Sequence, residues 1–273
     1  IKLRNNNMNK NKIKNFITFF FNLFNLSVFI RKKKNNNYEI VNKNEWIPFL
    51  KESEYYKLYN EGLRKTSQEF TDNFSKRMRL FSLLQLVNYV TRTDNFNDFN
   101  FAECGCWKGH SSFMISSILK KNEYRGKFYI FDSFEGGLSD LTKKDKNLIS
   151  DYTNKQIIDQ KFFFKSNEND VKEVLKEFGF IKIFKGWIPE KFKNIENSKF
   201  NFVHLDVDLY EPTLESLKFF YPRLEKGGVI VCDDYNLSAF PGAKLAWDEF
   251  FNNTTKDYKF FYESPFGGCY LIK

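Results

Sequence analysis

Two stretches constrain this chain more than anything else in it: Phe200-Asn201-Phe202-Val203-His204-Leu205 and Gly228-Val229-Ile230-Val231-Cys232. Each is a mostly apolar run of strand length rather than a strict alternation, which is the pattern of parallel strands covered on both faces. Such a sheet needs crossover helices, and the chain from Phe99 onward supplies the rhythm. Strands are predicted near 99–104, 127–132, 180–185, 200–206 and 228–233, with helices near 111–121, 168–178, 212–224 and 242–252. Tyr258 to Tyr262 and Cys269 to Ile272 lie on either side of Ser264-Pro265-Phe266-Gly267-Gly268, close enough to pair as an antiparallel hairpin. The expected fold is therefore α/β: a seven-stranded, mainly parallel, doubly wound, Rossmann-like sheet preceded by N-terminal helices.

The 273 residues, 42% of them hydrophobic, suffice for one full-sized domain with a short appendage. The appendage is residues 1–45, where thirteen Asn and the Lys tracts at 5–15 and 32–37 leave too little apolar surface to offset ordering entropy. Between those tracts, 16–30 reads as a short apolar helix below the roughly 20 residues needed to span a bilayer. Flanked by Arg31-Lys32-Lys33-Lys34, the segment 16–34 could instead lie in an anionic interface or pack on a partner subunit. Residues 46–98 read as helices, most clearly where Phe74, Met78, Phe81, Leu84 and Val87 recur, and 99–273 as the core.

Charge separates the same regions. Residues 1–45 hold 10 Lys and Arg against Glu39 and Glu45, a net of +8, so the remaining 33 basic and 32 acidic groups leave +1 elsewhere. A near-neutral core lacks the basic face of a nucleic-acid binder. Cys104, Cys106, Cys232 and Cys269 sit in apolar segments without the CxxC spacing of zinc or redox sites, and read as buried reduced thiols. With no small-residue cleavage site behind the apolar stretch, a reducing cytoplasm fits, with peripheral membrane contact as the alternative.

Chemistry concentrates at strand ends. Glu103-Cys104-Gly105-Cys106-Trp107-Lys108-Gly109-His110-Ser111-Ser112 ends a strand in E-x-G-x-x-x-G and opens a Ser-headed helix. Gly105 can take dihedrals closed to other residues, Gly109 would let a ligand approach the backbone, and the amides at Ser111 and Ser112 would face an anion. Asp132 ends the next strand, 27 residues after Gly105, where an acid can accept both ribose hydroxyls of a nucleotide-type cofactor. That spacing suits NAD or S-adenosylmethionine. Trp107 standing where G-x-G-x-x-G needs its second glycine favours the methyl donor.

Asp206 and Asp208 end one strand and Asp233-Asp234 the next. Asp206, Asp233 and Asp234 offer three hard oxygen ligands for Mg²⁺, and so many neighbouring carboxylates need a cation or backbone donors to offset their repulsion. As a plain structural role, Asp208 best fits a cap for the helix that Pro212 opens. His110 reads as a surface or capping residue, and His204 as a packed, hydrogen-bonded one.

These residues resemble the macrocin O-methyltransferase (TylF-like) family of class I methyltransferases over roughly 75–273. ECGCWKGHS resembles its cofactor turn, FDSFEG its ribose-binding segment, HLDVDLYEPTLESLKFFYPRLEKGGVIVCDDY its metal and substrate region and PGAKLAWDEFF the helix after it. Lys108 stands where Arg is usual and His110 where glycine is common. The resemblance implies S-adenosylmethionine and Mg²⁺ as cofactors, and a hydroxyl on a sugar, glycan or glycosylated small molecule as acceptor. It places Glu103, Gly105 and Ser111 near the methionine end, Asp132 and Ser133 at the ribose, and Asp206, Asp233 and Asp234 on the metal. Asp206 is the first choice as base, with Asp208 or His204 as alternatives, and a homo-oligomer is expected. The competing reading is a non-catalytic or RNA- or membrane-associated protein of this fold, tethered by the basic arm.

Overall fold

The computed structural model describes residues 28–32, 38–42, 53–148, 162–237 and 239–273. Contacts divide the chain into 1–58 and 59–273. In the first unit, β1 (Val28–Lys32) pairs antiparallel with β2 (Tyr38–Asn42), Ile30 opposite Ile40. Val28 to Ile30, the end of the stretch read as an apolar helix, are thus strand. β-branched Val28, Ile30, Ile40 and Val41 favour that state. Residues 16–27 of that stretch, the tract at 5–15 and residues 33–37 lie outside the described residues.

Helix α1 (Glu54–Lys65) leads from the first unit into the second, where α2 (Phe74–Val90) follows. Then come β3 (Asn100–Cys104), α3 (His110–Lys121), β4 (Phe128–Asp132), the short α4 (Lys143–Leu148), α5 (Glu168–Leu175) and β5 (Ile181–Lys185). The last third holds β6 (Phe200–Leu205), α6 (Tyr210–Phe220), β7 (Leu224–Cys232), α7 (Pro241–Asn253), β8 (Phe260–Glu263) and β9 (Cys269–Ile272). The sheet runs β5-β4-β3-β6-β7-β9-β8, parallel except where β9 meets β7 and β8. The expected seven strands and the antiparallel finish are present. Chain direction across the sheet reverses between β3 and β6, which opens a crevice beyond their carboxyl ends.

Burial explains the long apolar runs: every residue of β6 is buried. One sheet face carries Phe101 and Phe202, stacked 5.2 Å apart. The other carries Phe131 against Phe184 at 5.1 Å and Phe200 against Phe220 at 5.0 Å, beneath α6 and α7. Phe does the filling that Leu and Ile do in most cores, and its offset and edge-on pairs add to area burial.

The buried stripe of α2 differs from the expected one. Leu80, Leu83, Leu84, Val87 and Val90 are buried, whereas Phe74, Met78 and Phe81 are only half-buried. The C-terminal half of α2 packs on the sheet, while its first turns overhang the strand ends and present Lys76 and Arg79 to the crevice. All four cysteines are buried and free. Among the described residues no helix is long and apolar enough to cross a membrane.

Candidate functional site

The turn after β3 is shaped by close approach. Gly105 has φ 81°, and a Cβ there would lie 1.9 Å from the Asp206 carbonyl oxygen, so only glycine lets the β3 and β6 ends converge. Gly109, at φ 86°, takes a left-handed backbone conformation that favours glycine, while a Cβ there would make only ordinary contact with Val171 at 3.4 Å. α3 begins directly after it, with Ser111 and Ser112 buried.

Asp132 closes this turn from below. Its Oδ2 accepts the Cys106 and Trp107 amides, both at 2.9 Å, and its Oδ1 accepts the Phe134 amide at 3.0 Å. Burial raises its pKa, and these three amides work against that rise. Oδ1 keeps a lone pair for a ligand hydroxyl. Ser133 makes long contacts with the Gly137 carbonyl and the Glu135 amide.

Across the crevice, Asp206, Asp233 and Asp234 each bring a carboxylate oxygen within 4.8 Å of the others. Asp208, with left-handed φ 62°, joins them by donating its amide to Asp234 Oδ2 at 2.8 Å. Burial, then repulsion from the neighbouring carboxylates, holds Asp206, Asp208 and Asp234 well above the usual carboxylate range. Convergent hard oxygens that resist ionisation in the metal-free chain fit a divalent cation. The helix-cap role considered for Asp208 belongs instead to Asp145, whose Oδ1 accepts the first α6 amide, Tyr210 N, at 2.9 Å.

Two adjoining cavities result, of about 290 Å³ and about 520 Å³, which share Trp107, Phe164, Asp206 and Asp208 as walls. Gly105, Asp132 and Ser133 line the first, while Ser111, Asp233 and Asp234 line the second. Glu103, Gly109 and His204 line neither. The Glu103 carboxylate lies inside the fold, bonded by Ser112 Oγ and paired with His204 Nδ1 at 2.9 Å. Burial alone would lower the His204 pKa, but Glu103, with Asp206 and Asp233 nearby, raises it to about 9.

His110 is neither exposed nor a cap. It is buried, and its Nε2 meets the Tyr59 carbonyl at 3.0 Å. Burial pushes its pKa down to about 3.

Sequence reasoning assigned no role to several residues. Arg79 is ion-paired with Asp233. Lys76 Nζ donates to Gln68 Oε1 at 2.8 Å and to Thr71 Oγ1 at 2.6 Å, and burial lowers its pKa to about 8. Both precede the turn after β3, in a helix whose apolar period drew attention to the opposite side. Lys108 stands over the Phe70 and Trp107 rings, 5.1 and 5.2 Å from their centroids. Gly186 and Trp187, after β5, line the smaller cavity without a sequence signal of their own.

A mainly parallel sheet in this order, with a Gly turn, an acid at the end of the next strand and carboxylates at the switch point, defines a class I methyltransferase. The TylF profile, macrocin-O-methyltransferase, matches residues 34–258. The chain belongs to that family and is an S-adenosylmethionine-dependent O-methyltransferase. It is 23% identical over 204 residues to demethyldecarbamoylnovobiocin O-methyltransferase of Streptomyces niveus, covering 70% of this chain and 73% of that one. It is 24% identical over 148 residues to 8-demethyl-8-(2,3-dimethoxy-alpha-L-rhamnosyl)-tetracenomycin-C 4'-O-methyltransferase of Streptomyces olivaceus, covering 51% and 54%. The solved O-methyltransferase NovP superposes with a TM-score of 0.58 at 22% identity, over 71% of this chain and 79% of that one, a likeness of fold.

Proposed function

We propose that the chain methylates a hydroxyl of a sugar, borne by a glycosylated small molecule or a glycan, with Mg²⁺ held by Asp206, Asp233 and Asp234. The observation that carries this reading is the three carboxylate oxygens within 4.8 Å of one another beside the cofactor turn. The rhamnosyl acceptor in the name of the Streptomyces olivaceus relative supports a sugar.

Asp132 and Ser133 would hold the ribose, and Gly105 and Ser111 would border the methionine end. Bound S-adenosylmethionine supplies an electrophilic methyl on a sulfonium. A bound divalent cation lowers the pKa of a hydroxyl it touches. Asp206 would take the hydroxyl proton, leaving the oxygen free to form its bond to the methyl carbon as the carbon–sulfur bond breaks. Asp208, on the wall common to both cavities, would orient the acceptor. His204, cationic until about pH 9 and bonded to Glu103, suits support of the carboxylates better than proton removal. The basic arm, 1–45, would serve docking, and the buried free cysteines support a reducing compartment.

Calorimetry with Mg²⁺ tests the metal set. The parent should bind the ion and the Asp233→Asn, Asp234→Asn pair should not. Full methyl transfer in excess EDTA would remove the metal from this reading.

A further inference from the structure

The mouth of the larger cavity is aromatic although its floor is acidic. Phe70 and Phe163 are 65% and 49% exposed, and both line this cavity together with Trp107 and Phe164. Their rings form one surface: Phe70 to Phe163 is 6.1 Å between centroids, Phe70 to Trp107 is 6.4 Å and Trp107 to Phe163 is 5.3 Å. The Lys108 ammonium braces that surface from the Phe70 and Trp107 side. Large exposed apolar side chains gathered at one pocket mouth mark a ligand contact, because leaving them in water is unfavourable. The floor below carries Asp206, Asp208, Asp233 and Asp234, so a molecule entering with a hydroxyl downward leaves its remainder against the rings.

We propose that Phe70 and Phe163 are specificity-determining residues: they stack on an apolar, ring-bearing portion of the acceptor outside the sugar, selecting aryl-type glycosides over free or simple alkyl glycosides. This rests on the sugar reading above. The floor and the rim divide the work. Carboxylates recognise the hydroxyl end whichever aglycone follows, whereas the rim has no polar group on its two exposed phenyl rings and discriminates by apolar contact alone.

Calorimetry on the full chain, loaded with S-adenosylhomocysteine and Mg²⁺, tests this with methyl α-L-rhamnoside and naphthyl α-L-rhamnoside as probes. The parent should bind the naphthyl compound roughly tenfold more tightly, the combined effect of two aromatic contacts. Phe70→Ala with Phe163→Ala should erase that gap, and Phe70→Tyr with Phe163→Tyr should keep it. Phe260→Ala, an exposed ring on the edge strand β8, should also keep it, which separates the rim from general stickiness. Because both rim side chains are exposed, the alanine pair should fold, as a thermal melt verifies. Equal affinity of the parent for the two probes, binding of neither, or a gap that survives the alanine pair overturns the proposal. A gap that the alanine pair erases while neither rhamnoside is methylated leaves the rim assignment standing and removes the proposed acceptor reaction.

Discussion

Two sets of acids stand at the carboxyl edge of one sheet and are held in opposite ways. Asp132, the last residue of β4, is wrapped by three backbone amides, two from the turn after β3 and one from Phe134. Asp206, Asp208, Asp233 and Asp234, after β6 and β7, face one another, with few donors: Arg79 on Asp233 and the Asp208 amide on Asp234. The first arrangement is complete without a ligand and fixes the turn in advance. The second is under electrostatic strain among its own residues, because burial and neighbouring like charges raise the carboxylate pKa values, a strain that the proposed cation would relieve. A turn braced by backbone amides thus adjoins a cluster of carboxylates with few donors of its own.

The largest effect that would test this contrast is on rate. Asp206→Asn should lower kcat roughly 10³-fold, within the range for loss of a positioned base, while S-adenosylhomocysteine affinity measured by calorimetry stays near the parent value. A large loss of cofactor affinity would erase the distinction between the two acid sets.

Next comes stability. Asp132→Ala strands three amides, so urea unfolding should show a loss of about 1–3 kcal/mol together with weaker cofactor binding. An unchanged unfolding midpoint would mean that the turn holds itself.

Asp208→Asn should act in the other direction in the metal-free chain, raising stability by about 1 kcal/mol at neutral pH as repulsion is relieved. Burial, then the neighbouring carboxylates, raises its folded pKa, so the fold holds this side chain protonated while the unfolded chain ionises, and that cost grows as pH climbs above the ordinary carboxylate value. The gain should therefore vanish in acid, and saturating Mg²⁺ should abolish or reverse it. A variant less stable than the parent without metal would show that the cluster is already neutralised.

The smallest effect concerns His204. Its folded pKa of about 9 lies above the ordinary 6.5, so its contribution is complete below 6.5 and is lost as pH rises through 9. Urea midpoints of the parent should fall across that window more steeply than those of His204→Gln. Parallel slopes would mean that the Glu103 pair carries no charge.

Much of this was legible in local pattern. Apolar runs gave the buried strands, Gly105 the turn, and strand-end position the four acids. Missing were the partners, since Arg79 and Asp233 lie 154 positions apart and Glu103 and His204 101 apart. Side-chain direction also misled: Glu103 stands one strand position before Cys104, so period two turns its carboxylate to the α3 side, toward Ser112.

The sequence by itself determined the α/β order, the antiparallel finish and which strand ends carry acids, because strand period and turn chemistry act between near neighbours. Only the tertiary structure decided which carboxylates are satisfied and which are not. It folded the amides of 106, 107 and 134 around Asp132, brought Lys76 and Arg79 over the crevice and crowded Asp206, Asp208, Asp233 and Asp234 together. Burial and mutual distance set those charges, and both are properties of the packed chain rather than of any segment in it.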